Sequence, residues 1–372
     1  MSQTVSTDLL FQPFVTEKLT LKNRVVMAPM TRNFSPGYIP GDDVAAYYER
    51  RARNGVGLIL TEGTTVNQPS ANGYPNIPAF HGEALEGWKK VVDAVHAAGG
   101  KIAPQLWHVG TVRKPGVGPD PDAPGIGPSG ISSRGKRKAK VMSDSDIADC
   151  IEAFAQGALD AKSLGFDAVE FHGAHGYLID QFFWEVTNER QDKYGGSLEK
   201  RLQFAIDIIR EARKKTGDDF PFILRFSQWK QQDYTAKLAH TPEELERFLL
   251  PLSDAGVDIF HASTRRFWEP EFADSPLNLA GWTKKITGKP AITVGSVGLS
   301  TDFIESNFLD QSGEDVPLRR LDDLLQRLAA GEFDLVAIGR ALLQDPEWLR
   351  KVEQGRFDEL QEYNKSSIAT LY

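Results

Sequence analysis

Val169-Glu170-Phe171-His172-Gly173-Ala174-His175-Gly176-Tyr177 is the stretch on which the reading of this chain turns. Ala168 to His172 reads as a short buried strand, and Gly173 and Gly176 open a turn after it. His172, His175 and Tyr177 then follow one another closely, so a single strand end delivers three polar groups. In (β/α)8 barrels the carboxyl end of the strands carries the active site. A neutral imidazole N–H holds a developing oxyanion and a phenol supplies a proton.

Outward from this strand the chain alternates strand and helix signals. Before it stand strand-like runs at Arg24–Met30, Val56–Thr61 and Lys101–Leu106, with helical periods over Asp42–Arg53, Glu83–Ala98 and Ser143–Ser163. Ser143 with Asp146 three residues on predicts an N-terminal cap. After it come strands at Phe220–Phe226, Asp258–Ala262, Ala291–Val294 and Asp334–Ile338. Helices are predicted from Ser197 to about Lys215, over Thr241–Ala255, Leu277–Thr287 and Leu318–Ala330, and from Pro346. Eight strands alternating with helices predict parallel βαβ units closed into a (β/α)8 TIM barrel, with a doubly wound open sheet as the alternative. Leu9–Leu21 reads as an N-terminal hairpin, Gly110–Lys140 as an excursion loop after strand three, and Ile179–Gly196 as another after strand four. No linker divides the chain, so residues 1–372 are expected to form one domain, with a barrel core over about 11–350 and a C-terminal tail over 351–372.

Composition narrows the function. The chain has 372 residues, 41% of them hydrophobic and 25% charged, with a formal net charge of −8. That balance disfavours nucleic acid and anionic membranes as partners. No run approaches the ~18 apolar residues of a membrane span. The polar start, Met1 to Asp8, lacks the apolar core of a signal peptide. The lone cysteine, Cys150, allows no internal disulfide and no cysteine-ligated cluster, and a cytoplasmic protein is expected. Homo-oligomers are compatible with this composition.

The strand ends carry the chemistry. Strand one ends at Ala28-Pro29-Met30-Thr31, strand two at Thr61-Glu62-Gly63, and strand three at Gln105-Leu106-Trp107-His108. Strand five ends at Arg225 and strand six at His261-Ala262-Ser263. Strand seven ends at Gly295-Ser296-Val297-Gly298 and strand eight at Gly339-Arg340. Glycines after strands seven and eight are where barrels bind phosphate, through backbone N–H groups, and Arg340 adds a charged contact. Gln105 and Arg225 are polar residues inside apolar strands. Either a carboxylate within the barrel pairs with the guanidinium, or both residues face a polar, electron-accepting ring. A metal pair at His172 and His175 lacks a local third ligand, so no metal is expected.

Ala28-Pro29-Met30-Thr31-Arg32, Thr61-Glu62-Gly63, Gln105-Leu106-Trp107, the stretch from His172 to Tyr177, Asn188-Glu189-Arg190, Tyr194-Gly195-Gly196-Ser197 and Gly339-Arg340 with Asp345-Pro346 together resemble the old yellow enzyme family. These are FMN-dependent ene-reductases on a (β/α)8 barrel, and the resemblance runs from about Phe11 to Arg350. It implies that Ala28, Pro29, Met30 and Thr31 line the FMN ring, that Gly63 approaches it through its backbone, and that Gln105 and Arg225 meet its pyrimidine side. Gly295, Ser296, Gly339 and Arg340 would hold the phosphate. His172 and His175 would bond a substrate carbonyl, Tyr177 would donate the proton, and Trp107 would border the substrate pocket. Some relatives have cysteine where Thr31 stands, and many have asparagine where His175 stands. The implied reaction takes a hydride from NADPH or NADH through FMN to the β carbon of an α,β-unsaturated carbonyl compound. The other readings are an amine-oxidising FMN barrel, a flavin-free phosphate-binding lyase or isomerase, and a non-catalytic flavin binder.

Two further signals are set aside. Gly125-Ile126-Gly127-Pro128-Ser129-Gly130 matches a dinucleotide fingerprint but lies among prolines, so a loop is expected. The basic run Arg134–Lys140 reads as a solvated loop, with attraction of the extra phosphate of NADPH as the hypothesis it supports. Gln228–Tyr234 and Arg265–Trp268 match no general motif.

Overall fold

The computed structural model describes residues 6–132, 134–299 and 317–372. Residues 1–5 of the polar amino-terminal stretch lie outside them. Eight parallel strands close into a barrel. They are β1 (Val25–Met27), β2 (Leu58–Thr65), β3 (Lys101–Trp107), β4 (Val169–His175), β5 (Phe222–Lys230), β6 (Ile259–Ser263), β7 (Ala291–Val294) and β8 (Leu335–Ile338). Closure rules out the open doubly wound sheet. The ring shuts where Ala337 of β8 pairs with Val26 of β1.

The intervening helices are α1 (Asp42–Arg53), α2 (Ala84–Ala97), α3 (Asp144–Leu164), α4 (Leu198–Thr216), α5 (Pro242–Ala255), α6 (Leu279–Thr287) and α7 (Pro317–Ala329). Their starts follow from local chemistry. Ser143 and Asp146 form a reciprocal capping box on α3, and Thr241 caps α5 with Pro242 in its first turn. Each helix turns an apolar stripe onto the outside of the barrel, where Leu106, Phe171, Phe222 and Phe260 meet it.

Strand side chains alternate, so the opposite set fills the barrel. Val26, Leu58, Leu60, Ala103, Ala168, Ile223, Ile259, Ile292 and Leu335 form its inner core. The amino-terminal hairpin, Phe14–Val15 against Thr20–Leu21, closes the bottom with Phe14, Leu19 and Leu21. It is shorter than the sequence suggests, because Asp8–Phe11 forms a helical turn that packs Leu10 into the outer core.

Two strands run further than expected. β4 continues through Gly173 to His175, with an irregularity in register between Gly173 and His175, and Gly176 opens the turn after it. β5 does not end at Arg225 but extends to Lys230. A buried ion pair explains the second case: Lys230 Nζ lies 2.7 Å from Asp180 Oδ1, both side chains fully enclosed. The two excursions are fastened to one another. Arg190 donates to the carbonyls of Pro128 at 3.1 Å and Met142 at 2.7 Å, while within the second excursion Asn188 Nδ2 donates to those of Phe182 and Tyr194 at 2.8 Å each. Ile126–Gly127 pairs with Lys140–Val141 as a small parallel ladder, and the next helix among the described residues is α3, so Gly125–Gly130 opens no helix of its own.

Candidate active site

At the carboxyl ends of the strands lies a cavity of about 420 Å³. β1 contributes Ala28, Pro29, Met30 and Thr31 just beyond its end, β2 Gly63, and β3 Gln105 and Trp107. β4 and the turn after it contribute His172, His175 and Tyr177, and β5 contributes Arg225. The ends of β7 and β8 add Gly295, Ser296, Gly339 and Arg340. The residues singled out in the sequence therefore line one space.

Alternation along the strands builds its floor. Above the apolar layer, β3, β4, β5 and β6 each point a polar residue inward: Gln105, Glu170, Arg225 and His261, all buried. Register sets Gln105 beside Glu170, and Arg225 beside both His172 and His261. Glu170 Oε1 accepts from Gln105 Nε2 at 2.7 Å, and His261 Nδ1 lies 2.6 Å from Oε2. The carboxylate in the barrel is thus Glu170. It attracts the Arg225 guanidinium, but among the described residues that side chain bonds only Ser263 Oγ, at 3.4 Å, and its buried Nε has no partner. Arg225 thus has a counter-charge in the barrel and keeps donor capacity at the cavity.

The three polar groups of the central stretch stand together. His172 and His175 have ring centroids 5.2 Å apart, and Tyr177 lies 5.0 Å from His172. Trp107 packs edge-on against Tyr177 at 4.8 Å, and Tyr74 stacks on Trp107 at 5.6 Å. His175 holds a left-handed backbone, φ 64°, which a non-glycine residue adopts at a cost of ~1–3 kcal/mol. Its N–H donates to Ser227 Oγ at 2.9 Å, which fixes that conformation. Burial, reinforced by the positive Arg225, holds both imidazoles well below the usual histidine range, so they are neutral. Burial raises the Tyr177 phenol well above its ordinary value, so it keeps its proton.

Some lining residues were not singled out from sequence. Gln231 Oε1 accepts from the Tyr177 hydroxyl at 3.2 Å, and the Trp229 ring lies 4.5 Å from that of His175. Glu170 was legible by parity, since it shares a strand face with His172. Tyr363 and Ile368 come from the tail, which is strapped down where Arg32 Nη2 donates to Thr370 O and Arg51 Nη2 to Tyr372 O, both at 2.5 Å.

At the far end of the cavity, Gly295 has φ 147°, and a Cβ there would come within 2.8 Å of Thr264 Oγ1. Arg340 Nη2 donates to Ser296 Oγ at 3.4 Å, across the ends of β7 and β8. Among the described residues no group of three or more His, Cys, Asp or Glu is placed to hold a metal ion.

A closed barrel with this cavity places the chain among flavin-dependent barrel oxidoreductases. The family model described as NADH:flavin oxidoreductase / NADH oxidase matches residues 9–307, and the chain belongs to that family, the old yellow enzymes. It is 33% identical over 366 residues to an NADH oxidase of Thermoanaerobacter brockii, covering 95% of this chain but about half, 52%, of that longer protein. It is 32% identical over 373 residues to 12-oxophytodienoate reductase 2 of Arabidopsis thaliana, covering 97% of this chain and 92% of the relative. Morphinone reductase, solved in complex with tetrahydroNAD, superposes with a TM-score of 0.78 at 28% identity, covering 96% of this chain and 93% of the other.

Proposed function

We propose that this protein is an FMN-dependent NAD(P)H oxidoreductase that reduces the activated C=C bond of α,β-unsaturated carbonyl compounds. The observation that carries the reading is the neutral His172–His175 pair beside the protonated Tyr177 phenol, at one end of a cavity whose floor is Gln105 and Arg225.

The residues present fit FMN. Among the described residues the buried Arg225 Nε has no partner, and the Gln105 amide is held by Glu170 at the cavity floor. These two would meet the pyrimidine edge. Ala28, Pro29, Met30, Thr31 and the Gly63 backbone would line the ring. Gly295, Ser296, Gly339 and Arg340 would hold the phosphate, where glycine leaves the backbone open to an anion. When bound, FMN would supply the hydride chemistry that links NADPH or NADH to the β carbon of the substrate.

The remaining work falls to the chain. His172 and His175 donate hydrogen bonds to the substrate carbonyl oxygen and draw electron density from the β carbon. Tyr177 protonates the α carbon, so hydride and proton together saturate the bond. Trp107 borders the space in which the substrate lies. The tetrahydroNAD complex of morphinone reductase supports a nicotinamide as reductant. We read residues 1–372 as one FMN-binding unit with its core over about 11–350. A cytoplasmic location is part of this reading, supported by the single, buried Cys150 thiol. Among the described residues no helix is long and apolar enough to cross a membrane.

An anaerobic visible spectrum tests the proposal. A flavin band that bleaches with NADPH and returns with 2-cyclohexenone is the expected result. Bleaching by a tertiary amine instead would point to amine oxidation. A protein that neither carries nor takes up FMN would sink the reading.

A further inference from the structure

Ser263 ends β6, buried at the cavity wall. Nothing in its local sequence marks it. Its hydroxyl lies between two groups of the site. His175 Nε2 is 2.8 Å from Ser263 Oγ, and Arg225 Nη2 donates to the same oxygen at 3.4 Å. The arrangement is held from both sides. Trp229 Nε1 donates to the Ser263 carbonyl at 3.1 Å, and the Trp229 ring covers His175.

The direction of the protons follows from the donor inventory. A guanidinium carries donors only, so Arg225 occupies a lone pair of Ser263 Oγ. Ser263 Oγ makes no other hydrogen bond among the described residues, so His175 Nε2 is the one acceptor they offer to the hydroxyl proton. A neutral imidazole that accepts at Nε2 bears its proton on Nδ1. We infer that Ser263 is a positioning residue that fixes His175 as the Nδ1–H tautomer, which leaves Nδ1 as the donor available to a molecule in the cavity.

His172 is set the opposite way. Its Nδ1 accepts the backbone N–H of Ala174 at 3.4 Å, which puts its proton on Nε2. The two imidazoles thus offer different ring nitrogens, each carrying a proton. Without Ser263, His175 is free to place its proton on Nε2 and present a lone pair at Nδ1. A lone pair there repels a carbonyl oxygen instead of bonding it. The use of that donor in catalysis rests on the ene-reductase reading above, whereas the tautomer itself does not.

The test is 15N NMR of the purified protein with 15N-labelled histidine, since protonated and unprotonated ring nitrogens of a neutral imidazole resonate far apart. His175 is assigned by the signals lost in His175→Asn. The wild-type protein is expected to show a protonated Nδ1 and an unprotonated Nε2 on His175. Ser263→Ala is expected to give a tautomer mixture or the Nε2–H form. Ser263→Thr, which keeps the hydroxyl, is expected to restore Nδ1–H. An Nε2–H His175 in the wild type overturns the inference, and so does an Nδ1–H form that persists in Ser263→Ala. In kinetics, Ser263→Ala is expected to slow enone reduction ~10–100-fold, with Ser263→Thr recovering most of the loss. An unchanged rate alongside a changed tautomer overturns its service to the reaction. A protein that reduces no enone, yet shows the Nδ1–H tautomer and its loss in Ser263→Ala, fails the functional reading and keeps the tautomer assignment.

Discussion

Gln105 Nε2 donates to Glu170 Oε1 at 2.7 Å, and this contact fixes which way the Gln105 amide stands in the cavity floor. A carboxylate only accepts, so the amide nitrogen must face it. Glu170→Ala removes the acceptor for both Gln105 and His261 and strips Arg225 of its counter-charge. The expected outcome is FMN binding ~10–100-fold weaker, by analogy with the loss of other outer-sphere partners. Orphaning the two donors lowers the unfolding free energy by ~2–4 kcal/mol. Fluorescence titration with FMN and urea unfolding measure the two effects, and an unaltered FMN affinity would show that Glu170 does not organise the floor.

Tyr177 is expected to serve only the half-reaction that saturates the substrate. Tyr177→Phe keeps the ring against Trp107 and loses the proton. Reduction of the enone should slow ~10²–10⁴-fold, while bleaching of the flavin by NADPH stays nearly intact. Because burial raises the phenol and lowers both imidazoles, none of the three changes charge near neutrality. The enone step should therefore be level from about pH 6 to 9. Stopped-flow traces of each half-reaction decide the matter; equal slowing in both would remove Tyr177 from the donor role.

The Lys230–Asp180 pair should couple stability to the geometry of the site. Asp180 Oδ2 also accepts the Gly176 N–H at 2.6 Å, directly before Tyr177. Asp180→Ala or Lys230→Met each leaves one buried charge alone, at a cost of ~3–5 kcal/mol. The double variant is expected to lose clearly less than the sum of the singles. Urea unfolding of the four proteins gives the coupling directly, and strict additivity would mean that the two charges do not support one another.

This pair also shows where the sequence stops being legible. The barrel could be read because the strands alternate with helices and Ser143 and Thr241 announce their helices locally. The site residues could be read because each stands at a strand's carboxyl end. Ser227–Lys230 looks like loop, since a lysine in a buried strand is costly; its partner Asp180 lies on another element and enters only through folding. The same holds for Glu170, whose face follows from its spacing to His172 but whose partners Gln105 and His261 are set by the register of β3 to β6. Tail residues Tyr363 and Ile368 reach the cavity through Arg32 and Arg51, contacts that no local pattern encodes.

Glu62 predicts a pH dependence of stability. It is buried beside Arg32, accepting the backbone N–H groups of Arg32 at 2.8 Å and Asn33 at 3.2 Å. Burial outweighs these bonds and pushes the carboxyl up to about 7. An unfolded glutamate titrates near ~4.3, so the native state holds a proton that the unfolded chain has released. That contribution is full below ~4.3 and is lost as pH rises to about 7. Relative to Glu62→Gln, the wild-type protein should lose roughly 3 kcal/mol across this window. Urea unfolding of both proteins at intervals between pH 4 and 8 checks it; a difference independent of pH would mean that Glu62 titrates as an exposed carboxyl.

The basic loop beyond β3 bears on the choice of nicotinamide. Arg137 is paired with Glu189, and Lys140 with Asp146 at 2.8 Å, whereas Lys136 and Lys138 are exposed. The loop is anchored to the excursion that follows Tyr177, where the Glu189 N–H donates to Ser129 Oγ at 2.8 Å. Two exposed ammonium groups on this face attract the additional phosphate of NADPH and offer nothing comparable to NADH. Their pull is long-ranged and screened within ~10 Å at 0.1 M salt. Reversing Lys136 and Lys138 to glutamate is expected to raise the KM for NADPH about tenfold at low ionic strength, leave that for NADH within about twofold, and lose most of its effect in high salt. Steady-state kinetics with both nicotinamides at two salt concentrations provide the measurement, and an unchanged NADPH-to-NADH preference at low salt would place the recognition of that phosphate elsewhere on the cavity rim.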